Sequence, residues 1–338
     1  MQTILTDSPE EAAAILNSGG VVAFPTETVY GLGAGICHPE AILQLFRAKG
    51  RPSDNPLIVH LGSIDQLDEV AEALHADARA LIEHFFPGPL TLVLQKKSSV
   101  PFSVTAGLET VGVRCPSNPV AQEFLRLCGC PVAAPSANRS GLPSATSWEA
   151  VMEDLEGKID CVLRGRPSTI GLESTIVECS GAKPLLLRAG AITLEQLREV
   201  VPEITVNAVT NKPEESPKCP GLKYPHYAPK ASIILWSGEK SPVADSPSSA
   251  SIGLSATPEG VALCKVCATL EEYGRELFGF FRLCDAEGIG VIYCELPSNE
   301  GLGRAIRDRL LRAAALEYPP LTSLPGERSE GQKAAQME

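Results

Sequence analysis

The stretch Val21-Val22-Ala23-Phe24-Pro25-Thr26-Glu27-Thr28-Val29-Tyr30-Gly31-Leu32-Gly33 decides how the chain is read. Its first four residues form an unbroken apolar run, too short for a helix and suited to a strand buried on both faces of a sheet. Two hydroxyls, a carboxylate and a phenol follow at once, and then glycines that permit close backbone approach. Open α/β sheets place their ligands at such positions, just beyond the ends of buried strands.

Working outward, Ser8-Pro9-Glu10-Glu11 supplies an N-cap, a first-turn proline and acidic residues at the positive end of a helix, which Gly19-Gly20 closes. Pro39 opens another helix, with Ile42, Leu43, Leu45 and Phe46 at helical spacing, and Leu57 to Val59 reads as the next strand. The alternation continues through strands at Leu90 to Leu94 and Val111 to Val113, a helix near Val120 to Leu127, strands at Val132 to Ala134, Ser174 to Val177 and Leu185 to Leu187, and a helix from Thr193. This predicts an α/β domain with a twisted mixed sheet over residues 1–205. Residues 206–230 bring prolines and charges without a sustained period and read as a linker. A second alternation predicts a smaller α/β domain over 231–321, with strands at Ser232 to Leu235 and Ile289 to Tyr293 and helices across Leu270 to Leu283 and from about Arg304 to Ala315. The polar residues 322–338 read as a flexible tail.

Two domains suit a chain of 338 residues, and 44% hydrophobic with 21% charged residues suits packed cores. No apolar run approaches the roughly 20 residues of a membrane span, and the N-terminus shows no basic region followed by an apolar one, so the expectation is a cytoplasmic protein with no membrane contact. The eleven cysteines are expected to be reduced, partly buried thiols. Cys264-Lys265-Val266-Cys267 lacks the second pair that a zinc site needs, and no metal site is expected. A net charge of −12 argues against a protein that grips nucleic acid broadly, so any polyanion site has to be local.

The P-loop pattern is absent, the glycines of Gly31-Leu32-Gly33-Ala34-Gly35 miss the dinucleotide spacing, and Gly301-Leu302-Gly303 opens a helix but lacks the third glycine, so it reads as a turn rather than an anion site. Polar segments at strand ends remain: Pro25 to Gly33, Lys49 to Pro56, Thr110 to Pro116, Ala134 to Thr146, and Glu173-Ser174-Thr175 with Leu187-Arg188. Each alone is explained as capping or a polar turn. Together they place Lys49, Arg51, Arg114 and Arg188 where an acidic protein would neutralise a polyphosphate. Lys49 and Arg51 are expected to be exposed and unneeded for packing.

In order along the chain, PTETVYGLGA (25–34), KGRPSDNPLIVH (49–60), PGPLTLVL (87–94), AAPSANRSG (133–141), LESTIV (172–177), PGLKYPHYAP (220–229) and GLGRAIRDRLLRAA (301–314) resemble the threonylcarbamoyl-AMP synthase family in its two-domain form. The resemblance implies a YrdC-like twisted mixed-sheet domain, a linker closing over the active site, and a smaller Rossmann-like α/β domain. It implies a nucleotidyltransferase that makes L-threonylcarbamoyladenylate and pyrophosphate from L-threonine, bicarbonate or CO2, and ATP with Mg2+. The product serves modification of the adenosine next to the anticodon in tRNA, with a downstream tRNA-modifying threonylcarbamoyl transferase and a weak tRNA contact as further partners.

By the same resemblance Lys49, Arg51, Ser136 and Asn138 form the catalytic tetrad. Arg51, Asn55, Thr110, Ser136, Ser144, Arg188, His226 and Tyr227 contact ATP, the last two folding back over it. Thr28, His60, Arg114, the backbone at Ala134, and Ser174 line the threonine pocket. Arg114 suits a bidentate pair with the threonine carboxylate, and His60 is either a general base or a hydrogen-bond donor, the donor role being favoured for an isolated histidine. The chain departs from the family pattern at Leu222, where methionine is common, and at Arg307, where asparagine is frequent. The rival readings are an RNA-binding module, which the net charge opposes, and a carbamoyl-transfer domain of hydrogenase maturation proteins, whose zinc-finger-like and acylphosphatase segments are not visible.

Overall fold

The structure, a computed structural model, describes residues 2–206, 227–237, 248–255, 258 and 260–314. Residues 2–206 carry the strands β1 (Ile4–Thr6), β2 (Val22–Phe24), β3 (Gly31–Gly35), β4 (Ile58–His60), β5 (Leu90–Gln95), β6 (Thr110–Arg114), β7 (Val132–Ala134), β8 (Cys161–Leu163), β9 (Thr175–Glu178), β10 (Leu185–Arg188) and β11 (Thr205–Val206). They form one mixed sheet in the order β1-β8-β2-β3-β7-β4-β6-β5-β9-β10-β11. Its helices are α1 (Pro9–Asn17), α2 (Pro39–Lys49), α3 (Leu67–Val70), α4 (Ala76–Phe85), α5 (Phe102–Thr105), α6 (Pro119–Leu127), α7 (Trp148–Leu155) and α8 (Leu194–Val200).

The apolar run that opened the sequence reading explains the layering. Val21 and Ala23 belong to the main core, which α2, α4, α7 and α8 cover, whereas Val22 and Phe24 belong to a second core under α1 and α6. Successive residues of a strand face opposite sides, so helices on both faces demand an unbroken apolar run. Gly31 and Gly33 of β3 then admit the Phe24 ring: a Cβ on Gly31 would sit 2.9 Å from Phe24 Cζ, and one on Gly33 would sit 2.8 Å from Val132 Cγ1. These glycines, expected only to permit close backbone approach, thus belong to a strand.

The later residues form a four-stranded parallel sheet of β12 (Ser232–Trp236), β13 (Ser249–Gly253), β14 (Leu263–Val266) and β15 (Val291–Glu295), in the order β12-β15-β13-β14, with α9 (Leu270–Ala286) and α10 (Gly301–Ala313) packed on it. Their core is continuous with the first domain, because Val29, Leu172 and Ala189 pack into it beside Tyr227. The helix expected from about Arg304 starts at Gly301, so Gly301-Leu302-Gly303 does open a helix and belongs to its first turn. The tail expected to be flexible and most of the linker, His226 included, lie outside the described residues.

The expectation of reduced thiols fails for one pair of cysteines. Cys37 and Cys130 are joined in a disulfide, with Cα atoms 6.5 Å apart. The antiparallel pairing of β3 with β7 brings them together, since Gly35 pairs with Val132 and the Ile36 amide donates to the Pro131 carbonyl. Other cysteines match the packing role: burial pushes the Cys115 thiol up to about 11 and the Cys128 thiol up to about 12. In the CxxC stretch Cys264 is exposed and Cys267 buried.

Replacing Gly33 by alanine should destabilise the protein by about 1–3 kcal/mol, because the new methyl overpacks against Val132 and Phe24. Chemical denaturation would check this, and an unchanged midpoint would contradict the packing account.

Candidate active site

The polar segments converge on one cavity with an empty volume of about 710 Å³, counted out to its open mouth. Its lining includes Thr28, Lys49, Arg51, His60, Arg114, Ala134, Ser136, Asn138, Ser174, Arg188 and Tyr227. Four of these are cations, while Glu173 is the one carboxylate among the lining residues, so a strongly acidic chain concentrates positive charge here.

Lys49 closes α2, where the left-handed Gly50 (φ 61°) ends the helix and turns the chain into the loop that carries Arg51. The lysine is not exposed as expected; it is 4% accessible. Its ammonium donates to the Ser136 carbonyl at 2.6 Å and to the Asn138 carbonyl, and so ties α2 to the segment after β7. The burial of an ammonium, followed by the Arg51 charge, pushes its pKa well below the lysine range, and only Asp154 opposes this. Arg51 is half-buried, its guanidinium turned toward the Asn55 and Pro56 carbonyls at 3.4 and 3.3 Å. Asn138 spends its amide donors on the carbonyls of Arg139 and Leu142, both at 2.9 Å, which shapes the loop and leaves its Oδ1 as an acceptor.

Arg114 ends β6, buried, and donates to Gly88 O at 3.3 Å, Thr28 Oγ1 at 2.8 Å and Glu27 Oε1 at 2.7 Å. Of the five N–H groups of a guanidinium, one on each terminal nitrogen is left over, enough for a bidentate carboxylate. Glu27, its buried counter-ion, was not among the expected site residues. Its carboxylate stood in the opening stretch, but 87 positions separate the partners and the sequence gives no hint of the pairing.

His60, at the end of β4, places Nδ1 3.1 Å from the Ile58 carbonyl. The carbonyl only accepts, which assigns the proton to Nδ1 and leaves Nε2 as an acceptor. Burial, and then the Arg114 charge, lowers the imidazole pKa to about 3. The ring is therefore neutral at physiological pH, and the expected donor role toward a ligand is replaced by that of an acceptor.

Ser174 Oγ lies 2.7 Å from Thr91 Oγ1, and its carbonyl accepts from Arg188 Nε at 3.0 Å. Three expected ATP contacts are not on the cavity wall. Ser144 is fully buried and donates to Glu173 Oε1, Asn55, in the loop that follows Arg51, is 1% accessible, and Thr110 opens β6 at the end opposite Arg114. Glu173, not among the expected site residues, lies between Ser144 and Arg309 of α10, which donates from Nε at 2.8 Å. Burial raises its pKa, but Arg309 and Arg188 outweigh burial and hold the carboxyl below its ordinary range. Tyr227 forms part of the wall, stacked on Phe278 with ring centroids 5.2 Å apart, and burial pushes its phenol up to about 12. Among the described residues no group of three His, Cys, Asp or Glu side chains could hold a metal ion.

The comparisons with known proteins agree across the chain. Residues 14–190 match the family model of Sua5, YciO and YrdC proteins described as telomere recombination, and residues 192–315 match that of the threonylcarbamoyl-AMP synthase C-terminal domain. Threonylcarbamoyl-AMP synthase of Pyrococcus abyssi is 41% identical over 90% of this chain and 93% of its own length. The Bacillus subtilis enzyme of the same name is 40% identical over 91% and 94%. The crystal structure of P. abyssi Sua5 complexed with L-threonine superimposes with a TM-score of 0.84 at 38% identity, covering 93% of this chain and 97% of that one.

Folded His60 stays neutral down to about pH 3, whereas the unfolded chain takes up this proton near pH 6.5. The unfolded state therefore binds more protons between these limits, and stability falls as pH drops through that window. Between pH 7 and pH 5 the wild type should lose about 2 kcal/mol more stability than His60→Gln. Urea denaturation at both pH values would read this, and equal losses would refute the neutral, buried state of His60.

Proposed function

The chain belongs to the threonylcarbamoyl-AMP synthase family, and from that premise we propose that its cavity joins L-threonine, bicarbonate or CO2, and ATP into threonylcarbamoyl-AMP, releasing pyrophosphate. The observation that carries this is the gathering of Lys49, Arg51, Arg114 and Arg188 around one cavity in an acidic chain. In the first step the threonine amine adds to the carbon of CO2, supplied directly or by dehydration of bicarbonate; the N–C bond forms as one C=O π pair moves onto oxygen, and the amine proton passes to water, leaving a carbamate. A carbamate oxygen then attacks the α-phosphorus of ATP in line; the new P–O bond replaces the bond to pyrophosphate, which departs. Such transfer asks for positioning and charge neutralisation rather than a protein nucleophile.

In this reading the two spare N–H groups of Arg114 take the threonine carboxylate, and Thr28, the Ala134 backbone and Ser174 frame its side chain. His60 Nε2 accepts a hydrogen bond from the threonine amine or hydroxyl. Lys49 and Arg51 face the phosphates with Ser136, and Arg188 lies toward the same end. Asn138 holds the loop and offers an acceptor. Ser144 acts through Glu173 and Asn55 through the Arg51 loop, while Thr110, at the far end of β6 from the cavity, carries no contact in this reading. Tyr227 belongs to the wall over the nucleotide, with His226 of the linker preceding it.

Glu173 has its two oxygens engaged by Ser144 and Arg309, so it does not fit a resident magnesium, and Mg2+ is better taken as arriving on ATP as part of the substrate. Among the described residues no helix is long and apolar enough to cross a membrane. The substrates are those of the cytoplasm, where the adenylate would pass to a tRNA-modifying threonylcarbamoyl transferase, with at most a weak tRNA contact by the synthase itself. The domains this reading uses are a catalytic unit over 1–205, a linker over 206–230 and a second unit over 231–321.

Purified protein given ATP, bicarbonate and threonine should release pyrophosphate only when all three are present. Threonine-independent release, or tight RNA binding without turnover, would sink the reading. Arg51→Ala should lower kcat/KM by about 100-fold or more with little change in thermal stability, since the residue is half-buried on a loop. Lys49→Ala should lower activity and also destabilise the fold by about 1–3 kcal/mol, because it leaves two carbonyls without their donor. Steady-state assays with thermal melts would separate the two, and full rates in both variants would contradict the phosphate assignment.

A further inference from the structure

We infer that the second domain is a positioning element for the nucleotide half of the cavity, acting through Arg309 and Arg282 on segments of the first domain. The inference rests on the synthase reading above and extends it to residues that touch no substrate.

Arg309, on α10, is wholly excluded from solvent. Its Nε donates to Glu173 Oε2 at 2.8 Å, and one terminal nitrogen donates to Asp308 Oδ2 at 2.6 Å and to the Ala189 carbonyl at 3.1 Å. The guanidinium also lies 5.6 Å from the centre of the Tyr227 ring. A single planar fork thus holds the residues adjacent in sequence to Ser174 and Arg188, both of which line the cavity, and Arg188 in turn donates to the Ser174 carbonyl. Glu173 passes the constraint on by accepting from Ser144.

Arg282, on α9, grips the other side. It donates to Asp154 Oδ2 at 2.8 Å and to the Pro143 carbonyl at 2.6 Å, and the same Asp154 oxygen accepts the Arg139 amide at 3.1 Å. The loop that begins at Asn138 and ends at Ser144 is therefore held from the second domain, with the Ala228 amide donating to the Gly141 carbonyl between the two grips at 2.9 Å. Apolar contact backs this arrangement: Leu172 packs so close to Gly274 that a Cβ there would lie 3.0 Å from Leu172 Cδ1.

A buried arginine with carboxylates on both sides is weak as a source of stability, since well-packed apolar residues serve as well. Its fork fixes several acceptors in one geometry, which an apolar side chain does not. The Arg309 grip reaches Arg188 through Ala189 and the Arg282 grip reaches the loop that carries Asn138, both on the nucleotide side; on the threonine side Ser174 keeps its own contact with Thr91, and Arg114 and His60 take theirs from the first domain. Loosening the grips should therefore weaken ATP more than threonine.

The test uses the full chain and the variants Arg309→Lys, which keeps the charge and loses the fork, and Arg282→Met. Steady-state pyrophosphate release gives KM for each substrate, calorimetry gives binding of a non-hydrolysable ATP analogue with Mg2+, and thermal melts identify folded variants. Arg309→Lys should raise the ATP KM and analogue Kd about tenfold, and Arg282→Met about threefold, with threonine KM and kcat within about twofold of wild type. Unchanged ATP KM and analogue Kd in the folded variants would overturn the inference, as would ATP and threonine KM rising together. If Arg309→Lys does not fold, Arg282→Met decides by the same criteria. Absence of threonine-dependent turnover in the wild type would instead reject the synthase reading, and analogue binding would then decide the positioning role by itself.

Discussion

The Lys49 ammonium, buried against the carbonyls of Ser136 and Asn138, is the contact on which the rest of the site depends. It joins the end of α2 to the segment after β7, and so sets the distance between the Arg51 loop and the polar turn that carries Asn138. Burying that charge costs free energy, and the nearby Arg51 and Arg282 add to the cost. The carbonyl dipoles offset it in part. A cavity whose cations are desolvated and repel one another is prepared to take an anion, because a polyphosphate relieves what folding leaves unfavourable. The other cations are likewise held in place beforehand, Arg114 by Glu27 and Thr28 and Arg188 by Ser174, so little reorganisation remains for the moment of reaction.

How far the sequence reveals this depends on the range of the interactions. Val21 to Phe24 reads as a strand because its four apolar side chains reflect helices on both sheet faces, a local record of the layering. β3 is not legible in the same way, since its glycines carry no side-chain period and are explained only by the Phe24 ring across the sheet. In the second domain β13 is built of Ser, Ala and Gly around one isoleucine and is wholly buried, which leaves no alternation to detect. The Cys37–Cys130 bond depends on a pairing 93 residues apart in sequence, and no cysteine spacing announces it.

The site divides along the same line. The cations and hydroxyls at strand ends are visible because polar groups break apolar runs, and Lys49, Arg51, Arg114, Ser136, Asn138, Ser174 and Arg188 do meet around one cavity. What the sequence leaves open is which partner each of them has. Glu27 looks like one polar residue among several until Arg114 is placed beside it, and His60 becomes an acceptor only through the Ile58 carbonyl. Ser144 looks like a phosphate ligand but is turned inward onto Glu173 by a contact that begins in the second domain. Long-range pairing therefore redistributes roles within a set of residues that local reading finds.

The most direct test is a crystal structure of this chain with L-threonine and a non-hydrolysable ATP analogue. The threonine carboxylate should lie on the terminal nitrogens of Arg114, with the α-phosphate between the threonine amine and the Lys49–Arg51 pair. Nucleotide bound elsewhere, at the strand ends of the second domain for instance, or threonine turned so that its carboxylate misses Arg114, would contradict the account.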